Sequence, residues 1–152
     1  MAAARYTTAE LLPPAGELSA AIHGRHIGVH ALTRLAARLG VLHRRARTCP
    51  HTDDECGCGR TELILAVDLW ATMWLPQPRA GARLHTESLG SVLDRMARSQ
   101  VEAFRLLMTL PPRDPRVLVA WYRAAELVDG YNDLADALVQ RAVRLPALGD
   151  GL

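Results

Sequence analysis

Apolar residues recur every three to four positions along most of the chain, the period of an amphipathic α-helix rather than of a strand. The pattern covers residues 17–47, 61–75, 86–110 and 115–145, and prolines close each of the last three stretches. The loops between these stretches are short, which favours antiparallel neighbours. We therefore predict an all-α fold, an up-down helical bundle of four to five helices. It forms a single domain over 17–146, with an N-terminal lead-in at 1–16 and a flexible tail at 147–152.

The helix count depends on the last stretch. Asp114 and Pro115 are a strong helix start, an Asp cap followed by proline at the first helical position. Gly130 suits the end of a helix, and Asn132 could cap another one. The stretch is either two helices or one helix kinked at Gly130.

Two glycines, Gly24 and Gly28, interrupt the first predicted helix. Glycine costs about 1 kcal/mol of helix propensity relative to alanine. A pair spaced four apart indicates either close approach of a neighbouring helix or a kink.

The second predicted helix, capped by Thr61, is apolar on nearly every face, so we expect it to be the buried centre of the bundle. Its one charged residue, Asp68, then needs a partner, either an arginine or a histidine such as His43 or His85. The third predicted helix has an apolar stripe from Leu89 to Leu110, with Asp94 placed opposite it.

Composition narrows the class of protein. The chain has 152 residues, 49% of them hydrophobic, and a net charge of +2, too small to indicate nucleic acid or a membrane surface. The longest apolar run, Leu63–Leu75, is shorter than a membrane span. All basic residues are arginine, which with the many alanines is typical of GC-rich codons. We expect a cytoplasmic bacterial protein, since three cysteines in one stretch do not form a secreted disulfide framework.

Those three cysteines carry the main chemical hypothesis. Cys49, His51, Cys56 and Cys58 lie within ten residues, between the first two predicted helices. Zinc binds cysteine thiolate and histidine nitrogen, and a structural site is closed by four protein ligands. We predict a Cys/His metal-binding loop that holds structural zinc.

The fourth ligand stays open. His51 is the local choice, and His43 and His85 are alternative fourth ligands. If the fourth position were open to water, the site could be catalytic.

A second surface is basic. His23, His26 and His30 recur at helical spacing in the first predicted helix, on the side that carries Arg34, Arg38 and Arg45. It is a solvated polar face, a second metal site or pH-sensitive docking surface, or a partner surface for an acidic protein or nucleic acid.

These patterns favour a zinc-stabilised, non-enzymatic interaction or regulatory module, acting through a protein partner or self-association, with a dimer as one form. No catalytic or cofactor-binding motif is present. One alternative is a metal-dependent enzyme acting on a small metabolite at an open site near the cysteine loop. A third is a nucleic-acid-binding regulator that uses the basic face of the first helix.

Overall fold

The structure, a computed structural model, describes residues 6–46 and 53–148, with side chains of the second range described from residue 59 onward. Over these residues the chain is a helical bundle, as predicted, with almost no strand. The elements in chain order are α1 (Thr8–Leu11), α2 (Ala15–Ile22), α3 (Ala31–Ala46), α4 (Asp53–Trp74), β1 (Arg83–Leu84), α5 (Leu89–Thr109), α6 (Pro115–Val139) and β2 (Val143–Arg144).

The centre of the bundle is α5, which packs against α2, α3, α4 and α6. The prediction that α4 is buried on all sides is wrong. Its buried side chains, among those described, are Leu63, Val67 and Ala71, which follow one another at i, i+4 and i+8, while Met73 is 72% exposed. The apolar residues of α4 therefore serve two surfaces, one inside the bundle and one outside. The buried residues of α5 are Leu89, Gly90, Val92, Leu93, Asp94, Met96, Ala97, Gln100, Val101 and Ala103.

The predicted first helix is two helices, α2 and α3, joined by a turn. Gly24 has φ +72°, a left-handed conformation that glycine adopts without steric cost. Packing explains the break: a Cβ at Gly40 would lie within 3.0 Å of the Ile22 backbone, so the end of α2 sits directly on α3. Arg44 then donates to the carbonyl oxygen of Ile22 at 2.6 Å. The chain must reverse after Ile22, and Gly24 allows it.

The last stretch is one continuous helix, α6, so the division at Gly130 is wrong. Its predicted start is confirmed, because Asp114 accepts a hydrogen bond from the Arg116 N–H at 2.9 Å and Pro115 is the first helical residue. Gly130 lies inside the helix, with open space where a Cβ would be. Tyr131, buried beside it, donates its hydroxyl to the Pro13 carbonyl at 2.7 Å and so fixes this part of α6.

The short segments at the other end of α6 form a two-stranded parallel pair that the sequence pattern does not predict. Arg83 pairs with Val143 and Leu84 with Arg144. Arg141, with φ 63°, turns the chain after α6 and donates to the Gln77 carbonyl at 2.5 Å. The pair ties the loop before α5 to the chain after α6.

Helix α4 begins at Asp53, earlier than the predicted start at Thr61. Positions 56 and 58 therefore belong to a helix rather than to a loop. In the lead-in, α1 ends before Pro13, and Leu12 is only 1% exposed and belongs to the core. None of the described helices has both the length and the apolar character needed to cross a membrane.

Candidate functional site

A buried carboxylate joins three helices at one point. Asp94, on α5, has a side chain only 2% exposed. His43, from α3, places Nε2 at 2.8 Å from Oδ1 of Asp94. Arg60, from α4, donates through Nε and Nη2 to Oδ2 at 2.9 and 2.8 Å. We call these three residues the junction cluster.

The electrostatics of the junction cluster keep Asp94 ionised. Burial by itself opposes ionisation, but the hydrogen bonds from His43 and Arg60 and the charge of the Arg60 guanidinium outweigh it and hold the pKa of Asp94 below its ordinary value. The prediction that Asp94 lies opposite the packed stripe is wrong. Its position is at the edge of that stripe, and α3 and α4 both cover that edge.

His43 is oriented by this contact. Since the carboxylate can only accept, Nε2 of His43 carries the proton and Nδ1 is the remaining ring nitrogen. A carboxylate that holds one nitrogen of an imidazole is the usual arrangement behind a metal-ligating histidine. His43 has this arrangement, and it lies at the end of α3, where the cysteine stretch begins.

Asp68 has a different role from the one predicted. Its Oδ1 accepts the Gly90 N–H at 2.7 Å, at the first turn of α5, and neither His43 nor His85 is its partner. Burial raises the pKa of Asp68, while the Gly90 N–H and the Ser88 hydroxyl oppose that shift. Asp68 therefore helps to cap α5 and fixes α4 against it.

The cysteine stretch lies mostly outside the described residues. Nothing is described of Cys49 or His51, and only the helical backbone of Cys56 and Cys58 is described. Positions two apart on a helix lie about 200° apart around its axis, so both cysteines can ligate one ion only if the first turn of α4 is irregular. Among the residues whose side chains are described, no group of three or more His, Cys, Asp or Glu could hold a metal.

The two rival histidines lie at different ends of α4. His43 shares the Asp94 carboxylate with Arg60, which lies one turn from position 56. His85 lies before α5, whose first turn bonds to Asp68, about 18 Å along α4 from position 56. Nδ1 of His85 lies against the Glu87 backbone, 2.8 Å from its carbonyl oxygen. The geometry favours His43 over His85 as the histidine near the cysteines.

The predicted histidine stripe does not form, because α2 and α3 are separate helices. His23 ends α2 and its ring lies 5.8 Å from that of Phe104. His26 is exposed in the turn, whereas His30 begins α3 with its ring 5.1 Å from that of Trp70. The three histidines thus have three different environments.

The arginines of the same predicted surface do share a face. Arg34, Arg38 and Arg45 are all exposed on α3, at positions four and seven apart. The three arginines therefore form one exposed basic face, without the histidines.

An uncovered apolar surface lies at the end of the hairpin that α5 and α6 form. Leu93 and Gln100 belong to the buried stripe of α5. The same face of α5 extends to Phe104, whose ring contacts that of His23 at the end of α2, and then continues beyond α2. On α6 the exposed apolar side chains recur at i, i+3 and i+4. We define the apolar end patch as Phe104 (40% exposed), Leu107 (43%), Met108 (68%), Leu118 (60%), Trp121 (41%) and Tyr122 (64%).

The sequence analysis did not identify the burial of Asp94 with Arg60 or the surface shared by Trp70 and Trp74. Asp94 could have been found as a carboxylate at the margin of an apolar stripe, but no local signal pairs it with Arg60. Trp70 and Trp74 are one turn apart, a spacing that indicates a shared aromatic surface.

Comparison with known proteins finds one family. The family described as "Protein of unknown function (DUF4254)" matches residues 29–146, most of the chain and all of α3 to α6. No curated protein and no solved structure matches the chain.

Proposed function

The chain belongs to the DUF4254 family, whose description assigns no function, and we propose that it is a non-enzymatic interaction module that associates with a second copy of itself. The observation that carries this proposal is the apolar end patch. Six large apolar side chains on two adjacent helices are each at least 40% exposed. Contiguous apolar surface of this kind is typical of protein-binding sites.

The composition of the patch supports a protein partner. Tryptophan, tyrosine, phenylalanine and methionine are enriched in interfaces. The aromatic side chains bury large areas, and the flexible methionine adapts its shape to the partner. The patch holds all four residue types.

The charges beside the patch favour a second copy over a partner of one charge sign. Arg105 donates to Glu102 at 2.9 Å, and Arg116 donates to Asp114 at 2.8 Å. Each of these ion pairs is neutral within the chain, so this part of the rim favours neither an acidic nor a basic surface. A two-fold axis can bring the hairpin end onto the same surface of another copy.

The oligomeric state tests this proposal. We expect the wild-type protein, measured under reducing conditions by light scattering after gel filtration, to show the mass of a dimer. The double variant Met108→Glu, Tyr122→Glu should show the mass of a monomer, because two carboxylates would be buried at the interface.

Leu84→Glu is the matched control. Leu84 is 52% exposed in β1, which pairs with the chain after α6 and so lies at the opposite end of α6 from the patch. It should leave the dimer intact. A wild-type protein that is monomeric at its highest soluble concentration, or a control that dissociates as readily as the double variant, contradicts self-association through this patch.

We propose, second, that a zinc ion stabilises the connection between α3 and α4, with His43 as one ligand through Nδ1. The support is the orientation of His43 by Asp94 and its place at the end of α3. The other three ligands would be Cys49, His51 and Cys56, since position 58 lies about 200° around α4 from position 56. Metal affinity is coupled to folding, so removal of the ion should loosen this hairpin.

Metal analysis tests the zinc site. We expect about one equivalent of zinc in purified protein, as one closed site requires, and a large loss in Cys56→Ser and in His43→Gln. His26→Gln, in the exposed turn after α2, is the matched control and should retain the metal. Absence of stoichiometric metal from the wild type, or its retention in Cys56→Ser, would show that this stretch is not a site.

A further inference from the structure

A cavity of about 270 Å³ opens on the side of the molecule where α1, the start of α3 and the second half of α4 meet. It is separate from both the junction cluster and the apolar end patch. Its lining residues are Glu10, Leu11, His30, Ala31, Trp70 and Trp74.

The histidine in this cavity is held by two hydrogen bonds. Nδ1 of His30 lies 3.0 Å from the Leu32 N–H, which can only donate, so Nδ1 is an acceptor. Nε2 lies 3.3 Å from the Leu11 carbonyl, which can only accept, so Nε2 carries the proton. These bonds require the neutral tautomer and engage both ring nitrogens. His30 therefore contributes an aromatic wall and no charge, and neither nitrogen is free to bind a metal.

The carboxylate of Glu10 is the charged group of the lining. The Thr7 N–H donates to Oε2 at 2.6 Å and the Thr7 hydroxyl donates to the same oxygen at 2.8 Å. These bonds hold the pKa of Glu10 below its ordinary value. Both bonds fall on one oxygen, and Oε1 has no hydrogen-bond partner among the described residues. The cavity thus has an ionised oxygen, fixed in place, at its edge.

The two tryptophans supply the other aromatic walls of the cavity. Trp70 is half-buried and its ring contacts that of His30 with the planes inclined by 56°. Trp74 follows one helical turn later, lines the cavity and is 65% exposed. Indole faces are the strongest aromatic partners for cations.

We propose that this cavity binds a small organic cation of the methylated ammonium type. Trp70 and Trp74 would contact its methyl groups and Glu10 would balance its charge. Aromatic walls with one carboxylate are the arrangement that recognises quaternary ammonium groups. An anion is disfavoured by Glu10, and the volume suits a small ligand rather than a drug-sized one.

Three tryptophans make the proposal directly measurable, because each indole N–H gives its own signal in a nitrogen–proton correlation spectrum. Trp74→Phe and Trp121→Phe assign the signals. Choline is the probe, and its neutral isostere 3,3-dimethyl-1-butanol is the matched control ligand. We expect choline to shift the Trp70 and Trp74 signals saturably, with a dissociation constant in the millimolar range, and to leave Trp121 unmoved. The neutral isostere should bind about fivefold more weakly.

Two variants keep the test independent of folding. Glu10→Gln removes the charge and should weaken choline about fivefold, whereas Glu62→Gln, an exposed carboxylate on α4, should not. Trp74→Ala truncates an exposed side chain, leaves the Glu10 bonds in place and should also weaken choline. The proposal would be overturned if the neutral isostere bound as tightly as choline or if the shifts did not saturate. Full affinity for choline in both Glu10→Gln and Trp74→Ala would also overturn it.

Discussion

Helix α5 contributes residues to both the junction cluster and the apolar end patch. The two regions differ because the first buries a charged group and the second leaves apolar groups exposed. At the junction a carboxylate is buried at 2% exposure and is satisfied by groups from two other helices. At the end patch, apolar side chains such as Met108 are left 68% exposed. The contrast separates two kinds of site. A change at the junction should act on folding, whereas a change at the patch should act on association.

The largest effect is expected at the centre of the junction. Asp94→Ala leaves His43 and the Arg60 guanidinium without their carboxylate, and removing one partner of a buried pair is strongly destabilising. We expect the free energy of unfolding to fall by about 3 kcal/mol, near the low end for buried pairs, because Arg60 is 45% exposed. Urea unfolding measures it. Asp133→Ala, on the exposed face of α6, is the control, and an equal loss there would contradict the assignment.

The next effect is a steric one at the contact between α4 and α5. A Cβ at Gly90 would clash with the Ile64 carbonyl oxygen and would lie 2.8 Å from the Asp68 carboxylate. We expect Gly90→Ala to lower the free energy of unfolding by about 2 kcal/mol, since overpacking costs up to about 3 kcal/mol and the gain in helix propensity returns about 1. Urea unfolding measures the change.

Gly130→Ala is the matched control for Gly90→Ala. Gly130 also lies in a helix, but no atom is within 4 Å of the position of a Cβ. The substitution should raise stability by about 1 kcal/mol. If both alanine variants changed stability in the same direction, the close contact at Gly90 would not be what limits the packing.

The ionisation of Asp94 on α5 and that of Asp68 on α4 should have opposite effects on stability as the pH changes. The pKa of Asp94 is below its ordinary value of 3.8, so its contribution to stability is present above that pH and is lost as the pH falls toward the lowered pKa. The pKa of Asp68 is raised above 3.8, so its effect has the opposite sign: stability is lost as the pH rises from 3.8 through the raised pKa.

Urea unfolding at a series of pH values checks these signs. The stability advantage of the wild type over Asp94→Asn should shrink as the pH falls below about 4. The free energy of unfolding of Asp68→Asn, relative to that of the wild type, should rise as the pH rises through the same region. A parallel pH dependence in all three proteins would contradict the assigned shifts.

The smallest effect on stability is expected at the patch. Met108→Glu and Tyr122→Glu should each change the free energy of unfolding of the monomer by less than about 0.5 kcal/mol, because both side chains are mostly exposed. Measurement at low protein concentration excludes the contribution of association. A loss as large as that at Asp94 would show that these residues serve the fold, and the contrast between the two regions would disappear.

The sequence pattern alone determined the all-α class, the apolar stripe of α5 and the Asp114–Pro115 start of α6. These depend on neighbours along the chain, through side-chain spacing, caps and the geometry of proline. The cysteine stretch was also found by spacing, and its role as a metal site stays a prediction.

Only the tertiary structure decided what each glycine and each carboxylate does. Gly24 ends a helix because α2 lies on Gly40, whereas Gly130 stays helical because nothing crowds it and Tyr131 is held at Pro13. Which carboxylates are buried, and with what partners, depends on residues far apart in sequence. Local spacing gives the face of a helix but not the neighbour that covers it. The same limit concealed the tryptophan cavity and the uncovered end of α5.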